Sequence, residues 1–449
     1  MNQASDNQLA DGAPARVAGA IPRRDSGRPV APHSMRATGL EEGFLIDLLL
    51  KVMYRMGLER ASDISRVIKL SIGIVDEMFA IAMDLKLVET LGQRGASLTA
   101  EMRYALSGHG RRRAAEALAK SEYAGPAPVP LDDFVAQCKA QSIRNEVLSR
   151  PMLERVFAEL TLADELMEKI GPAVNSGQSI MLYGPAGNGK SSIAVAITRA
   201  YQDQIYLPHC FEVDNQVVTM FDPTVHERLD SDNEDGEGLR RGSKYDRRYV
   251  VCRRPAVVAG GELTLDALNI AYNPNSRIYE APLQLKAVGG VLVVDDFGRQ
   301  RHTPQEMINR LIIPLEVKVD YLTLQTGRKF SVPFDPVVIF STNIPPAALA
   351  DEAALRRLRY KIYVGQPSEE LYLKIFVRAA KRSGLDVKPE ILEHLLFELY
   401  PNQPGAELHA FHPRFLIDQT LSICTYEGAK PGLRKDFLDR AWINLFAKD

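Results

Sequence analysis

Gly184-Pro185-Ala186-Gly187-Asn188-Gly189-Lys190-Ser191 satisfies G-x-x-x-x-G-K-[ST], a spacing that cradles phosphate. Glycines let the backbone curl until amide hydrogens face one point, and the helix that follows adds partial positive charge there. Lys190 is expected on the β and γ phosphates and the Ser191 hydroxyl on Mg²⁺, with Ser192 opening the helix Ser192–Ala200. A chance glycine loop is the competing account; the buried-strand pattern Ser179–Tyr183 before the loop and the helix after it argue against that. Further along, Val291–Val294 reads as a buried strand ending in Asp295-Asp296, a Walker B pattern. Asp295 is expected to hold Mg²⁺ through water and Asp296 to polarise an attacking water. Alone, an apolar strand ending in two acids is a weak sign; paired with the glycine loop it specifies ATP and Mg²⁺ as cofactors.

The elements that position these groups are read from a chain of 449 residues, 45% hydrophobic and 25% charged. That composition is ordinary for a globular protein, and the length calls for several domains. Lys51 interrupts the apolar run Phe44–Met53 and Asp295 ends Val291–Val294, so no membrane span is expected. The N-terminus lacks the apolar core of a secretory signal, and Cys138, Cys210, Cys252 and Cys424 are scattered, which predicts a cytoplasmic protein without disulfides or zinc. A net charge of −2 offers no global field for nucleic acid. Residues 1–40, rich in Ala, Pro, Gly, Arg and Ser, are expected to be a disordered tail.

Residues 41–122 predict three helices, from Phe44 to a stop at Gly57, around Ile64–Ile68, and from Ile72 to Leu85. Strands Leu87–Leu91 and Tyr104–Leu106 follow, in the order of an α+β winged-helix domain. Such a domain can place its third helix in a DNA groove. Asp76, Glu77 and Asp84 on that helix face a single nearby Lys86, a balance that repels phosphate, so protein docking is the favoured role and DNA remains the alternative. The Arg111-Arg112-Arg113 run could touch a phosphate backbone, but such a run is more often a solvated helix face. Residues 123–144 are a proline-rich linker and lead-in, extended over Tyr123–Pro130.

With both motifs placed, residues 145–449 resemble the AAA+ ATPase family. The resemblance implies an α/β fold: a P-loop AAA+ core with a parallel sheet over 145–366 and a small helical lid over 367–449. It makes Val337–Phe340 and Ser341-Thr342-Asn343 similar to the sensor 1 strand, with Asn343 near the γ-phosphate; an Asn opening a turn before Pro345 is the plain account. Ala353–Arg359 is similar to the arginine-finger helix, Arg357 matching best and Arg356 next, against the reading of a solvated basic helix. His412-Pro413-Arg414-Phe415-Leu416 resembles the start of the sensor 2 helix, which puts Arg414 on the nucleotide. The family usually carries Glu where Asp296 stands, so hydrolysis is expected to be slow or its water differently placed.

Two insertions are expected. The second strand of the sheet, about Ile205–Val213, is followed by an acidic stretch from Asp230 to Glu237 and by Arg240, Arg241, Lys244, Arg247, Arg248, Arg253 and Arg254. Alternation around Arg253-Arg254-Pro255 predicts a hairpin of Tyr249, Val251 and Val257, Ala259. This basic segment, with Tyr245 or Tyr249, could grip a polymer in a pore or be a self-neutralising surface loop. A second hairpin, Asp320–Val332 turning at Gly327, resembles the pre-sensor-1 insertion of MoxR-like chaperone ATPases. No GAFTGA-like loop for sigma-factor contact is present. The expectation is an Mg-dependent ATPase working as a homo-oligomeric ring, a hexamer favoured, that remodels a macromolecular partner, with a protein client favoured; an ATP-controlled DNA-binding regulator is the alternative.

Overall fold

The computed structural model describes residues 27–93, 101–229 and 245–446. In the first unit, apolar side chains at helical spacing bury one face of α1 (Glu42–Met56), including Leu45, Leu48, Leu49 and Val52. Gly57 ends it with positive φ (65°), its N–H donating to the Met53 carbonyl at 3.0 Å. Helices α2 (Ala61–Ile68) and α3 (Ile72–Asp84) close the core, followed by an antiparallel pair, β1 (Val88–Gln93) and β2 (Met102–Leu106), and by α4 (Gly108–Lys120). Phe79 of α3 stacks on Tyr104 of β2 with centroids 3.8 Å apart. Arg60 bridges Arg103 as a short third strand position. The exposed side of α3 carries Asp76, Glu77 and Asp84.

The expected tail needs correction over residues 27–40. Thr38 is fully buried and Met35 nearly so. The Met35 N–H donates to the Glu77 carboxylate at 2.8 Å, and the Thr38 carbonyl accepts from Arg248 at 2.9 Å. Composition missed this because the partner arginine lies 210 residues away. Residues 1–26 of that tail lie outside the described residues.

The central sheet is parallel, in the order β16 (Tyr360–Tyr363), β4 (Ile180–Tyr183), β15 (Val337–Thr342), β12 (Val291–Val294), β9 (Ala256–Ala259). Alternate residues supply its two faces. Ile180, Leu182, Val291, Val293 and Ile339 meet Ile193 and Ile197 of α6 (Lys190–Thr198). Met181, Leu292, Val294, Val338 and Phe340 meet Met307, Leu311 and Leu315 of α7 (Pro304–Val317). Burial on both faces is why these strands read as continuous apolar runs. The α/β class is therefore as expected.

A second core, not foreseen, lies beside the first. Its sheet runs β10 (Ala271–Asn273), β11 (Ile278–Glu280), β7 (Gln216–Thr219), β6 (Cys210–Val213), β3 (Val129–Pro130), with α5 (Leu131–Ala140) against it. The expected linker thus contributes an edge strand, where proline is tolerated. The expected strand Ile205–Val213 is two strands, β5 (Gln204–Pro208) and β6, and neither joins the central sheet. The expected hairpin at Tyr249–Ala259 is likewise two strands in two sheets: β8 (Tyr249–Arg253) pairs antiparallel with β5, and β9 pairs parallel with β12. Buried Arg254 pins the crossing by donating to the carbonyls of Gln141 (2.8 Å) and Gly289 (2.6 Å) and to Asp203 (2.6 Å). A two-residue period reveals a strand but not its partner.

The hairpin over Asp320–Val332 is present as β13 (Val319–Thr323) and β14 (Lys329–Pro333), with Leu322 opposite Phe330. Its apolar side, including Leu322, Phe330 and Val332, is buried in the second core. The C-terminal residues form a helical unit, α9 (Glu369–Arg382), α10 (His412–Tyr426) and α11 (Lys435–Ile443), around Tyr372, Phe376, Leu395, Leu416 and Trp442; α8 (Glu352–Leu355) is a single turn before β16.

Candidate nucleotide site

In an open parallel sheet the ligand crevice lies beyond the carboxyl ends of the strands, where strand order reverses. Here β4, the first strand in sequence, sits between β16 and β15, the last two. Thr342 pairs with Tyr183 and Phe340 with Val294, so Gly184, Asn343 and Asp295-Asp296 all emerge at that end. The loop from Gly184 to Gly189 turns through positive φ at Gly187 (77°) and Gly189 (88°), conformations that cost a side-chain-bearing residue energy. Gly189 caps α6, whose amino end therefore faces the crevice.

The Lys190 ammonium donates to the carbonyls of Gly184 (2.9 Å) and Pro185 (2.8 Å). Burial pushes its pKa down, while Asp296 and Asp295 pull it back up. Lys190 is thus a cation held over the loop by the loop's own backbone. The Ser191 hydroxyl donates to Asp295 Oδ1 at 2.8 Å. A hydroxyl and a carboxylate, hard oxygen donors side by side next to a phosphate loop, fit the ion, with Ser191 as a direct ligand and Asp295 acting through water. Asp296 is exposed and has φ 47°, in the left-handed region.

Gln300, which belongs to no motif, ties this turn together. Its amide donates to the carbonyls of Gly260 and Asp295, each at 3.1 Å, and its Oε1 accepts from the Gly298 N–H at 2.8 Å. Thr342 adds a bond from its hydroxyl to the Phe297 carbonyl at 2.6 Å. The two strand ends that carry Asp295 and Asn343 are therefore fixed to each other. Asn343 itself is half-buried, while Pro185 is half-buried and Ala186 and Ser192 are exposed.

A second unforeseen contact joins the glycine loop to the C-terminal helical unit. The Asn188 amide oxygen accepts from the Ala410 N–H at 3.1 Å, and the Phe411 N–H donates to the Gly187 carbonyl at 3.0 Å. A Cβ on Gly187 would collide with the Phe411 ring. The amino end of α10 thus rests on the loop, and Arg414, one turn further, is 86% exposed with its guanidinium 3.6 Å from Asp418. The residues before the expected lid helix carried no motif; only a three-dimensional contact reveals them.

Arg356 and Arg357 are not brought to this crevice. They follow α8 and precede β16, whose Tyr360 pairs with Ile180 at the opposite end of β4. Arg357 is folded back, donating to the Ala353 carbonyl at 2.5 Å and lying 3.5 Å from Glu316. Arg356 is 72% exposed and among the described residues pairs only with Glu352 of its own turn, at 2.7 Å.

The pore reading of the basic insertion is overturned for Arg248, Arg254 and Tyr249, which are buried. Arg248 is 3% exposed, chelated by Asp246 and bonded to the carbonyls of Thr38 and Pro128. Arg254 is buried as described above, Arg253 pairs with Glu227 at 2.9 Å, and Tyr249 is 4% exposed. Tyr245 packs against Tyr206 with centroids 5.3 Å apart. The expected acidic stretch, with Arg240, Arg241 and Lys244, lies outside the described residues.

Residues 368–444 match a family described as Domain of unknown function (DUF8689). No curated protein matches the chain. Among solved structures it is similar to NtrX from Brucella abortus in complex with ATP, at 17% identity over 63% of this chain and 56% of that one, with a TM-score of 0.38. It is also similar to RuvB from Thermotoga maritima, a Holliday junction branch migration motor, at 12% identity over 71% of this chain and 72% of that one, with a TM-score of 0.34. The chain therefore spans little more than half the length of NtrX. Among the described residues no helix is long and apolar enough to cross a membrane.

Proposed function

We propose that the chain is an Mg²⁺-dependent ATPase of the AAA+ type that couples ATP binding and hydrolysis to remodelling of a protein partner, assembled as a ring. The observation that carries this reading is the convergence of Lys190, Ser191 and Asp295 at one end of the central sheet, joined by the 2.8 Å bond from Ser191 to Asp295. In it, the glycine-loop amides and Lys190 bind the phosphates, and Ser191 and Asp295 hold Mg²⁺. Bound there, the ion neutralises charge that develops between the β and γ phosphates. Asp296, exposed at the crevice, takes the proton of the attacking water, and Asn343 orients the γ-phosphate side.

Arg414, on the helix whose amino end touches the loop, reads the nucleotide from the lid. Of the two finger candidates, Arg356 is the better suited to reach a neighbouring subunit, because its side chain is 72% exposed whereas that of Arg357 is 30% exposed. The DNA-regulator alternative, in which the first unit acts as a winged helix, draws no support from α3: its exposed acids face outward, and Glu77 already accepts a bond from Met35. Titration calorimetry with ATP and Mg²⁺ tests the reading. Wild type is expected to bind and Lys190→Ala to lose binding or turnover; a Lys190→Ala protein that binds and turns over ATP like wild type removes the proposal.

A further inference from the structure

Asp296 is not held through its own side chain: among the described residues its carboxylate makes no hydrogen bond or ion pair. Asp295 differs, because the Ser191 hydroxyl bonds its carboxylate at 2.8 Å. The direction in which Asp296 points is therefore set by its backbone, which lies in the left-handed region at φ 47° and is followed by Gly298 at φ 106°. Such a turn is sparsely populated by a free chain and persists where surrounding bonds over-determine it. Backbone bonds hold part of it. The Asp295 N–H donates to the Ala259 carbonyl at 2.8 Å, the Phe297 N–H to the Ser341 carbonyl at 2.7 Å, and the Arg299 N–H to the Asp296 carbonyl at 3.0 Å.

Among the described residues two side chains bond the backbone of residues 295–298. Thr342 reaches the Phe297 carbonyl alone. Gln300 spans the turn: its Oε1 accepts from the Gly298 N–H at 2.8 Å, while its amide donates to the carbonyls of Asp295 and Gly260, each at 3.1 Å, with that of Asp296 next at 3.4 Å. Gly260 follows β9, so the same amide fastens the turn to the neighbouring strand. Gln300 is 9% exposed, whereas Arg299 and Arg301 on either side of it are exposed. Carbonyls buried against this amide lose their partner when it is removed, and the turn must shift to recover one. An apolar side chain of that length fills the space without either bond. A carboxylate accepts from Gly298 but sets negative charge against carbonyl oxygens; the amide meets both needs.

We propose that Gln300 is a positioning residue of nucleotide hydrolysis, which acts through the turn backbone to aim the Asp296 carboxylate at the attacking water. The inference rests on the ATPase reading and adds to it a residue outside both motifs. Its test compares the full chain as wild type, Gln300→Met and Gln300→Glu, for phosphate release and for ATP binding. Gln300→Met, similar in length but without the amide, is expected to lower kcat by about 10²-fold, the scale of a misplaced catalytic group. ATP affinity is expected to stay as in wild type, because the glycine loop and Lys190 are untouched. In Gln300→Glu the ionised carboxyl repels the carbonyls, and the protonated one regains an O–H donor. Burial and the acids Asp295, Asp296 and Glu262, the last on the Gly260 N–H at 2.7 Å, raise that carboxyl above its ordinary value near 4.3, with exposed Arg299 and Arg301 opposing. The ratio of its kcat to that of wild type is therefore expected to rise as pH falls from about 8 to about 5.5. A residue that merely supports the fold would lose melting temperature and ATP affinity together, without that pH dependence. Should Gln300→Met fail to fold, the Gln300→Glu profile carries the test alone. Wild-type kcat in Gln300→Met, a loss of kcat matched by an equal loss of ATP affinity, or a flat ratio in Gln300→Glu overturns the role of Gln300. Absence of phosphate release from wild type overturns the ATPase reading instead, and the inference with it.

Discussion

Asp296 occupies left-handed backbone at φ 47°, a region that Asp and Asn enter at less cost than other side-chain-bearing residues. That geometry gives a reason for the shorter acid at a position where the resemblance leads one to expect Glu. It also makes Asn a clean probe, because Asp296→Asn keeps the backbone preference and removes only the charge. The variant is expected to bind ATP like wild type and lose turnover by at least about 100-fold, the scale of a lost general base; filter binding and phosphate release measure the two. Failure to bind ATP would make Asp296 a metal or structural residue. The glycine loop and paired acids were legible in the sequence because each is a local pattern whose chemistry demands a fixed spacing. Gln300 was not, since its partners Gly260 and Asp295 are met only once strands β9 and β12 lie side by side. The contact of Arg357 was not legible for a similar reason: its motif match says nothing of Glu316 on a separate helix.

At the scale of elements, the contact between the glycine loop and the C-terminal helical unit links the nucleotide crevice to the rest of that unit. Gly187→Val places atoms where the Phe411 ring lies and forces strained backbone at φ 77°. It is expected to lift the start of α10 off the loop and weaken ATP binding about tenfold or more, as calorimetry reads it, whereas Ala186→Val, at an exposed position, changes little. Within the same unit, His412 is 3% exposed, its Nδ1 2.7 Å from the Tyr400 hydroxyl. Burial first, and His409 second, push its pKa down from 6.5 to about 4. The unfolded chain then binds more protons than the folded one between those values. Stability contributed by neutral His412 is present above pH 6.5 and is lost as pH falls toward 4, by on the order of 3 kcal/mol. Thermal melts across that range should show the loss in wild type, with a smaller slope in His412→Gln; equal slopes refute it. Helices were readable here because their period is internal to each segment. Tyr249–Ala259 was recognised as strand yet assigned the wrong partners, since its alternation carries no information about which sheet each half joins, and β3, β7, β10 and β11 of the second core were not foreseen.

For the whole molecule, the placement of Arg356 and Arg357 at the end of the sheet opposite their own crevice means that either arginine can serve catalysis only on another copy. With Arg356 as the exposed candidate, Arg356→Ala is expected to bind ATP normally and lose turnover by roughly 10³-fold or more. Mixed with Lys190→Ala after subunit exchange, it should regain activity, because the second protein donates an intact arginine to the first protein's working loop. If Arg357→Ala is the variant that behaves this way, the ion pair with Glu316 must open in the assembly; if neither matters, the ring loses its support. The sequence exposed the order of its motifs, but the second core and the packing of residues 27–40 against Arg248 and α3 became visible only in three dimensions. Phosphate release from ATP by the purified full chain, measured with Mg²⁺ and with chelator beside Lys190→Ala, decides whether the crevice hydrolyses nucleotide at all. Steady release that requires both the ion and Lys190 is the expected result; release that is absent in wild type, or that survives in Lys190→Ala or without divalent ion, contradicts an Mg²⁺-dependent ATPase.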